Sequence, residues 1–351
     1  MPTKEEIVAN FDYNGPGRRG NLFGLPFSPE NSELVIIPSP WDVTVTYRDG
    51  TSRGPQAIVD ASYQVDLFVK DIPDAWKLGV CMLPISDELV EENKLVRTQA
   101  VQHIRKVENG EKITTDDSSL SSINAACEKF NGYVRSTAQE YLKAGKIVAL
   151  VGGDHSSPLG FIRALAEVYD RFAILQIDAH ADLRNSYEGF AYSHASIMYN
   201  ALKIPAVGKL IQVGIRDLCD EEADVMRRAM GRVVTFYDDD IKSSMAMGKT
   251  WDHVCSEIVK HLPTNIYISV DIDGFDPKLC PNTGTPVPGG INFHEFVYLL
   301  KKIALAGKKI IGFDLSEVCP GNDDWDANVG ARILYHLCNW TAVSQKKLVV
   351  R

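Results

Sequence analysis

At 351 residues, 45% hydrophobic and 24% charged, the chain has the make-up of a soluble globular protein, long enough for two or three domains yet within reach of a single α/β domain. No apolar run approaches the roughly 20 residues of a membrane span, and the opening MPTKEEIVANFDYN lacks the apolar core of a signal peptide. A formal net charge of −9 argues against a nucleic-acid partner, whose phosphates need cations; it suits cationic ligands and simple solubility equally. The seven cysteines are scattered with no C-x-x-C pair, so they read as reduced thiols of a cytoplasmic protein.

In chain order, residues 1–33 are rich in Gly, Pro and Asn and read as an irregular N-terminal arm, with one domain expected over 34–351. ELVIIP (33–38) is the first strand and GPQAIVDASYQVDLF (54–68) a helix with Pro55 in its first turn. KLGVCML (77–83) follows as a strand. The segment 84–116 is polar, and VRTQAVQHIRKVENGEK within it reads as an exposed helix. Residues 118–145 carry helical periodicity up to a Gly stop. From there strands and helices alternate: KIVALVGG, PLGFIRALAEVY, FAILQID, HASIMYNAL, KLIQVGI, EEADVMRRAM, RVVTFY, WDHVCSEIVKHL, NIYISVDID, NFHEFVYLLKKIALAG, KKIIGFDL and DANVGARILYHL. Eight Val/Ile-rich strands between amphipathic helices predict a three-layer α/β/α fold around a mostly parallel sheet.

Several strands end in ionisable residues. VALVGGDHSS brings Asp154 and His155; ILQIDAHADLR brings Asp178, His180 and Asp182; IYISVDIDGFD brings Asp271 and Asp273; KIIGFDLSEVCP brings Asp314 and Glu317. Side chains two apart on an extended chain point the same way, and open α/β sheets bind ligands beyond the carboxyl ends of their strands. These groups should therefore share one crevice. Carboxylates about 4 Å apart repel by several kcal/mol at an effective dielectric near 20, so the cluster needs protons or cations. Two divalent ions would balance four aspartates, and a mixed Asp/His set suits manganese while also admitting nickel, iron or cobalt. Singly, each D-x-D could be a turn and Asp154 a helix cap. Together at the strand ends of one sheet they point to metal.

The stretches VGGDHSS, LQIDAHADLR and SVDIDGFDPKLCPNTGTPVPGG resemble, in order, the three motifs of the ureohydrolases, the arginase and agmatinase family. YRDGTSRGPQAI, QVGIRDL and DLSEVCP are fainter echoes. The resemblance implies two ions per chain, Mn2+ or Ni2+. His155 and Asp182 would each bind one ion alone, Asp178 and Asp271 would bridge, and His180 and Asp273 would complete the second site. It further implies that Glu317 grips the substrate guanidinium and that His194, in YSHASIMYNAL, shuttles a proton. Glu317 would otherwise form a structural ion pair with Arg216, and His194 would be a surface histidine. The family usually forms trimers or hexamers, so a homo-oligomer is expected, with a hetero-oligomer also open. Asn282 departs from the family's glycine in the turn; Asn tolerates left-handed backbone, so the turn should survive. Segment 84–116 has no family counterpart.

Two adjacent ions can lower the pKa of a shared water toward neutrality, yielding a hydroxide that attacks the guanidinium carbon and releases urea and an amine. YSHAS fits agmatinase-like enzymes, while arginases carry an Asn-containing segment there. The rim stretches RNSYEGFAYSH and CPGNDDWDAN, the second with Asp323, Asp324 and Asp326, suggest a small cationic guanidino substrate without an amino-acid head group. Rivals are a nickel-dependent hydrolase of guanidine, alkylguanidines or biguanides, a single-zinc deacetylase on a similar fold, and an inactive metal-binding partner subunit.

Overall fold

The computed structural model describes residues 2–111 and 118–351. Its strands are β1 (Leu34–Pro38), β2 (Val80–Met82), β3 (Ile147–Val151), β4 (Phe172–Ile177), β5 (Val207–Ile215), β6 (Val233–Tyr237), β7 (Asn265–Asp271) and β8 (Lys309–Ser316). They form one sheet in the order β2-β1-β3-β8-β7-β4-β5-β6, and every pairing is parallel. The helices are α1 (Lys4–Asn10), α2 (Gly54–Ser62), α3 (Asp87–Glu108), α4 (Ser118–Lys143), α5 (Leu159–Ala166), α6 (Ile197–Leu202), α7 (Asp220–Arg228), α8 (Asp238–Ala246), α9 (Trp251–His261), α10 (Phe293–Leu305) and α11 (Trp325–Ser344). Among the described residues no helix is long and apolar enough to cross a membrane.

The three layers follow from strand alternation. Along β3, Ile147, Ala149 and Val151 join a core with α2, α9, α10 and α11, while Val148 and Leu150 join a second core with α3, α4, α5 and α6. Side chains of period two thus feed both faces, and covering both leaves the strands apolar throughout.

Four expectations need correction. The N-terminal arm is not wholly irregular: a Thr3–Glu6 capping box starts α1, and Leu22, Phe23, Leu25 and Phe27 are buried in the first core. The helix expected to reach residue 68 stops at Ser62. Helix α8 went unread because Ile241 is the only buried apolar residue in its acidic sequence; Asp238, Asp239 and Asp240 suit its N-terminal dipole instead. The helix expected to be exposed within segment 84–116 has a buried face. Helix α3 buries Leu89, Asn93, Val96, Ala100, His103 and Ile104, one stripe in which two polar residues hide the period. Residues 112–116 of that segment lie outside the described residues.

Candidate active site

Beyond the carboxyl ends of β3, β4 and β7, the chain departs in tight turns built by one local device. Asp154 accepts the amide of Ser156 (3.0 Å), Asp178 that of His180 (2.7 Å) and Asp271 that of Asp273 (2.9 Å). An aspartate bonded to the amide two residues on stabilises such a turn without help from elsewhere. The convergence expected from an extended strand therefore arises differently, because β4 has ended at Ile177 and Asp182 sits at φ 55°. Glycine makes the close approaches possible. A Cβ on Gly153 would lie 1.7 Å from the carbonyl of Trp41, and one on Gly274 would lie 2.5 Å from the amide of Asp178.

The remaining carboxylate oxygens meet the imidazoles. His155 Nδ1 lies 3.0 Å from Asp178 Oδ2, 2.9 Å from Asp182 Oδ2 and 3.4 Å from Asp271 Oδ2, yet makes no hydrogen bond and is buried. Its Nε2 pairs with Ser269 Oγ at 2.9 Å. If Nε2 carries the proton, the Nδ1 lone pair faces the carboxylates, which is how a partner on one ring nitrogen orients the other toward a cation. His180 Nδ1 is 3.0 Å from Asp273 Oδ2 and 3.7 Å from Asp178 Oδ1. Two groups able to hold a metal result: His155 with Asp178 and Asp271, and His180 with Asp178 and Asp273, each with donor atoms within 4.8 Å of one another. Asp178 belongs to both.

The electrostatics call for positive charge at the same places. Burial, then the charges of Asp273, Asp178 and Glu317, raises Asp271 well above the ordinary carboxylate range; burial, then Asp178, lifts Asp182 to about 7. Burial opposes the charged form of His180, but Asp273 and Asp178 outweigh it and push the imidazole up to about 12. Burial likewise acts to raise Asp178, but the adjacent imidazoles of His155 and His180 hold it below its usual range. A hard Asp/His donor set around an orphaned imidazole nitrogen fits divalent cations.

A polar ladder crosses the sheet behind Asp178. Thr235 Oγ1 donates to Gln212 Oε1 (2.8 Å), Gln212 Nε2 to Gln176 Oε1 (2.8 Å), and Gln176 Nε2 to Asp178 Oδ2 (2.8 Å). These residues are register partners on β6, β5 and β4. Sequence reading passed over the ladder and Ser269. The available signal was a polar residue inside each of β4, β5, β6 and β7, with Tyr267, Ser269 and Asp271 on one face of β7.

The other candidates separate. His194 opens a 3-10 turn before α6 and lines a cavity of about 200 Å³ together with Thr46, His180, Asp182, Arg184 and Tyr187, so it is no free surface histidine. Burial, followed by the neighbouring His180, His155 and Arg97, pushes its imidazole below the usual range. Glu317 is not part of that wall. It is buried at φ 63°, accepts the amide of His155 at Oε1 (2.9 Å), and leaves Oε2 without a partner. It does not pair with Arg216, whose guanidinium donates to the carbonyls of Asp273 (2.6 Å) and Val287 (2.9 Å). Asp154 is spent on structure, with Oδ2 accepting from Thr44 (3.3 Å) and Oδ1 from Ser156. Asp314 is engaged in the same way, accepting from Tyr267 (2.6 Å) and Ser316 (3.1 Å).

The second rim stretch is not in the wall. Asp326 is buried and accepts from the amide and side chain of Asn282 (both 2.9 Å), and Asp323 accepts the amide of Trp325 (3.0 Å). Asn282 keeps its turn through that pairing with Asp326, and its φ is not positive.

Comparison with known proteins adds the family. The chain is 30% identical over 318 residues to N(1)-aminopropylagmatine ureohydrolase of Thermus thermophilus, covering 90% of this chain and 92% of that one. It is 29% identical over 321 residues to proclavaminate amidinohydrolase of Streptomyces clavuligerus, covering 89% and 90%. Its fold is shared with the agmatine ureohydrolase of Thermoplasma volcanium, with a TM-score of 0.70 at 23% identity over 98% of this chain and 99% of that one. The arginase-family profile matches residues 32–339, and with that match the chain belongs to the arginase family, hydrolases that act on guanidino compounds.

Proposed function

We propose that the protein is a dinuclear-metal hydrolase that cleaves the C–N bond of an agmatine-like guanidino compound lacking an amino-acid head group, giving urea and an amine. The observation that carries this reading is the sharing of Asp178 between the two Asp/His groups. In it, His155 and Asp182 would hold one ion and His180 and Asp273 the other, with Asp178 and Asp271 contributing to both. The pair of ions supplies an activated water nucleophile. His194, in the cavity wall, passes a proton to the departing amine nitrogen as a general acid–base group. Glu317, with one oxygen uncommitted, accepts charge-assisted hydrogen bonds from the guanidinium.

The substrate class rests on the cavity wall and on the relatives. Of the acidic residues there besides Asp182, Glu222 is engaged with the amides of Leu183 and Cys219 (both 3.0 Å), and Asp217 is 65% exposed at its side chain. Arg184, the only Lys or Arg of the wall among the described residues, lies over the Tyr187 ring at 4.8 Å and 3.8 Å from Glu222, which opposes its charge. Relatives named for aminopropylagmatine and agmatine point the same way. The test is urea release from agmatine, alkylguanidines, guanidine and arginine after loading the apoprotein separately with manganese and with nickel. Failure to release urea from any of them with either metal sinks the proposal.

A further inference from the structure

Two loops contribute walls to the cavity: residues 41–53 through Thr46, and residues 184–193 through Arg184 and Tyr187. Both are gripped by helices on the same side of the sheet. On α3, Asn93 Nδ2 donates to Asp42 Oδ1 (2.8 Å) while its Oδ1 accepts the amide of Asp42 (2.9 Å). One turn on, Arg97 Nη1 donates to the carbonyl of Val43 (3.0 Å) and to that of Val45, flanking Thr44 and abutting Thr46. Farther along α3, His103 Nε2 lies 2.7 Å from the carbonyl of Glu188, and its ring packs on Phe190 at 5.1 Å. Asn124 of α4 completes the hold, accepting from the amide of Ala191 (2.9 Å) and donating to the carbonyl of Gly189 (3.3 Å).

Buried polar residues in a helix stripe are costly unless bonded, and simple packing would have been served by apolar ones. Here Asn93 and His103, both buried, are each bonded to a different wall loop, and the half-buried Arg97 joins them. We infer that α3 sets the spacing of the cavity walls, with Arg97 and His103 as positioning residues that fix how the enzyme receives the part of its substrate beyond the guanidinium. This rests on the function proposed above. Neither residue lines the cavity. They act through Thr46 and Tyr187, and in a cavity of about 200 Å³ a shift near 1 Å in either wall would change what fits.

The manganese-loaded enzyme tests this through Arg97→Met, Arg97→Lys, His103→Ala and His103→Gln, each assayed for metal content, kcat and KM with agmatine and with methylguanidine, and amide hydrogen exchange. Arg97→Met should keep its metals and raise KM for agmatine about 10-fold or more; because the Arg97 charge also acts on His194, kcat is compared in Arg97→Lys and His103→Ala, where it should stay within about 3-fold. KM for methylguanidine, which has almost no tail, should move much less. Arg97→Lys should recover part of the loss through one carbonyl, and His103→Gln most of it, because an amide still donates to Glu188. Exchange should quicken at 43–47 in the Arg97→Met variant and at 187–191 in the His103→Ala variant. Equal effects on both guanidines, a fall in kcat alone, or loss of metal would overturn the inference; if Arg97→Met does not fold, His103→Ala decides by the same criteria. Should the wild type release no urea at all, the proposed function fails, and the brace is judged by exchange alone, with unchanged rates in both loops overturning it.

Discussion

The floor and the walls of the cavity are built in opposite ways. On the floor, each aspartate that opens a motif closes its own turn on the amide two residues away, so its backbone geometry is local. The walls hang on partners 52 to 54 residues distant for Arg97 and 85 for His103. Chemistry that must not drift is tied to rigid strand ends. Substrate fit, carried by loops, depends on helices that lie far from those loops along the chain. Within the floor a second contrast appears: Asp154 spends both oxygens on Ser156 and Thr44, whereas Asp178 and Asp271 keep one oxygen facing His155 Nδ1.

Breaking the floor should have the largest effect. Asp178→Asn removes a charge common to both metal groups, Asp271→Asn one that the proposed assignment shares between the two ions, and mass spectrometry should find one or both ions missing. Two ions retained in both variants would end the assignment. Next comes His194→Asn, which should keep its metals while kcat falls roughly 10²- to 10⁴-fold, the usual cost of a lost general acid–base group. Metal loss in that variant would make His194 a ligand or support. The walls should then show themselves in selectivity: kcat/KM for the best head-group-free guanidine should exceed that for arginine by at least ~100-fold, about 2.7 kcal/mol of transition-state discrimination. Comparable turnover of arginine would point to a carboxylate-reading site in the wall, with Arg184 as its cation.

Smaller effects probe the support behind the floor. Gln176→Met cuts the ladder beside Asp178, and titration with manganese should show affinity about 10-fold weaker, at the low end for an outer-shell partner. An unchanged isotherm would reduce the ladder to packing. Asp154→Asn should matter least to metal, because neither of its oxygens faces the cluster; both ions should stay, with stability reduced by about 1–2 kcal/mol for altered buried hydrogen bonds. If Asp154→Asn strips metal as Asp178→Asn does, the contrast between the two aspartates is wrong.

The parallel α/β architecture and the membership of the floor were legible in the chain itself. Buried parallel strands must be apolar on both faces, and Asp178, His180, Asp182, Asp271 and Asp273 stand beside the strands that carry them. Helix α3 was not legible as a buried element, because Asn93 and His103 interrupt the apolar stripe that betrays an amphipathic helix. Nor was the withdrawal of Asp326 from the rim, which depends on Asn282 meeting it across 44 residues. The same holds for the orientation of His155, set by Ser269 from another strand. Residue type and spacing determine which groups a turn can gather, since a turn is closed by bonds two residues long. Which oxygen is left over, and how wide the space above it stands, is decided by partners that only the packed fold brings within hydrogen-bond reach.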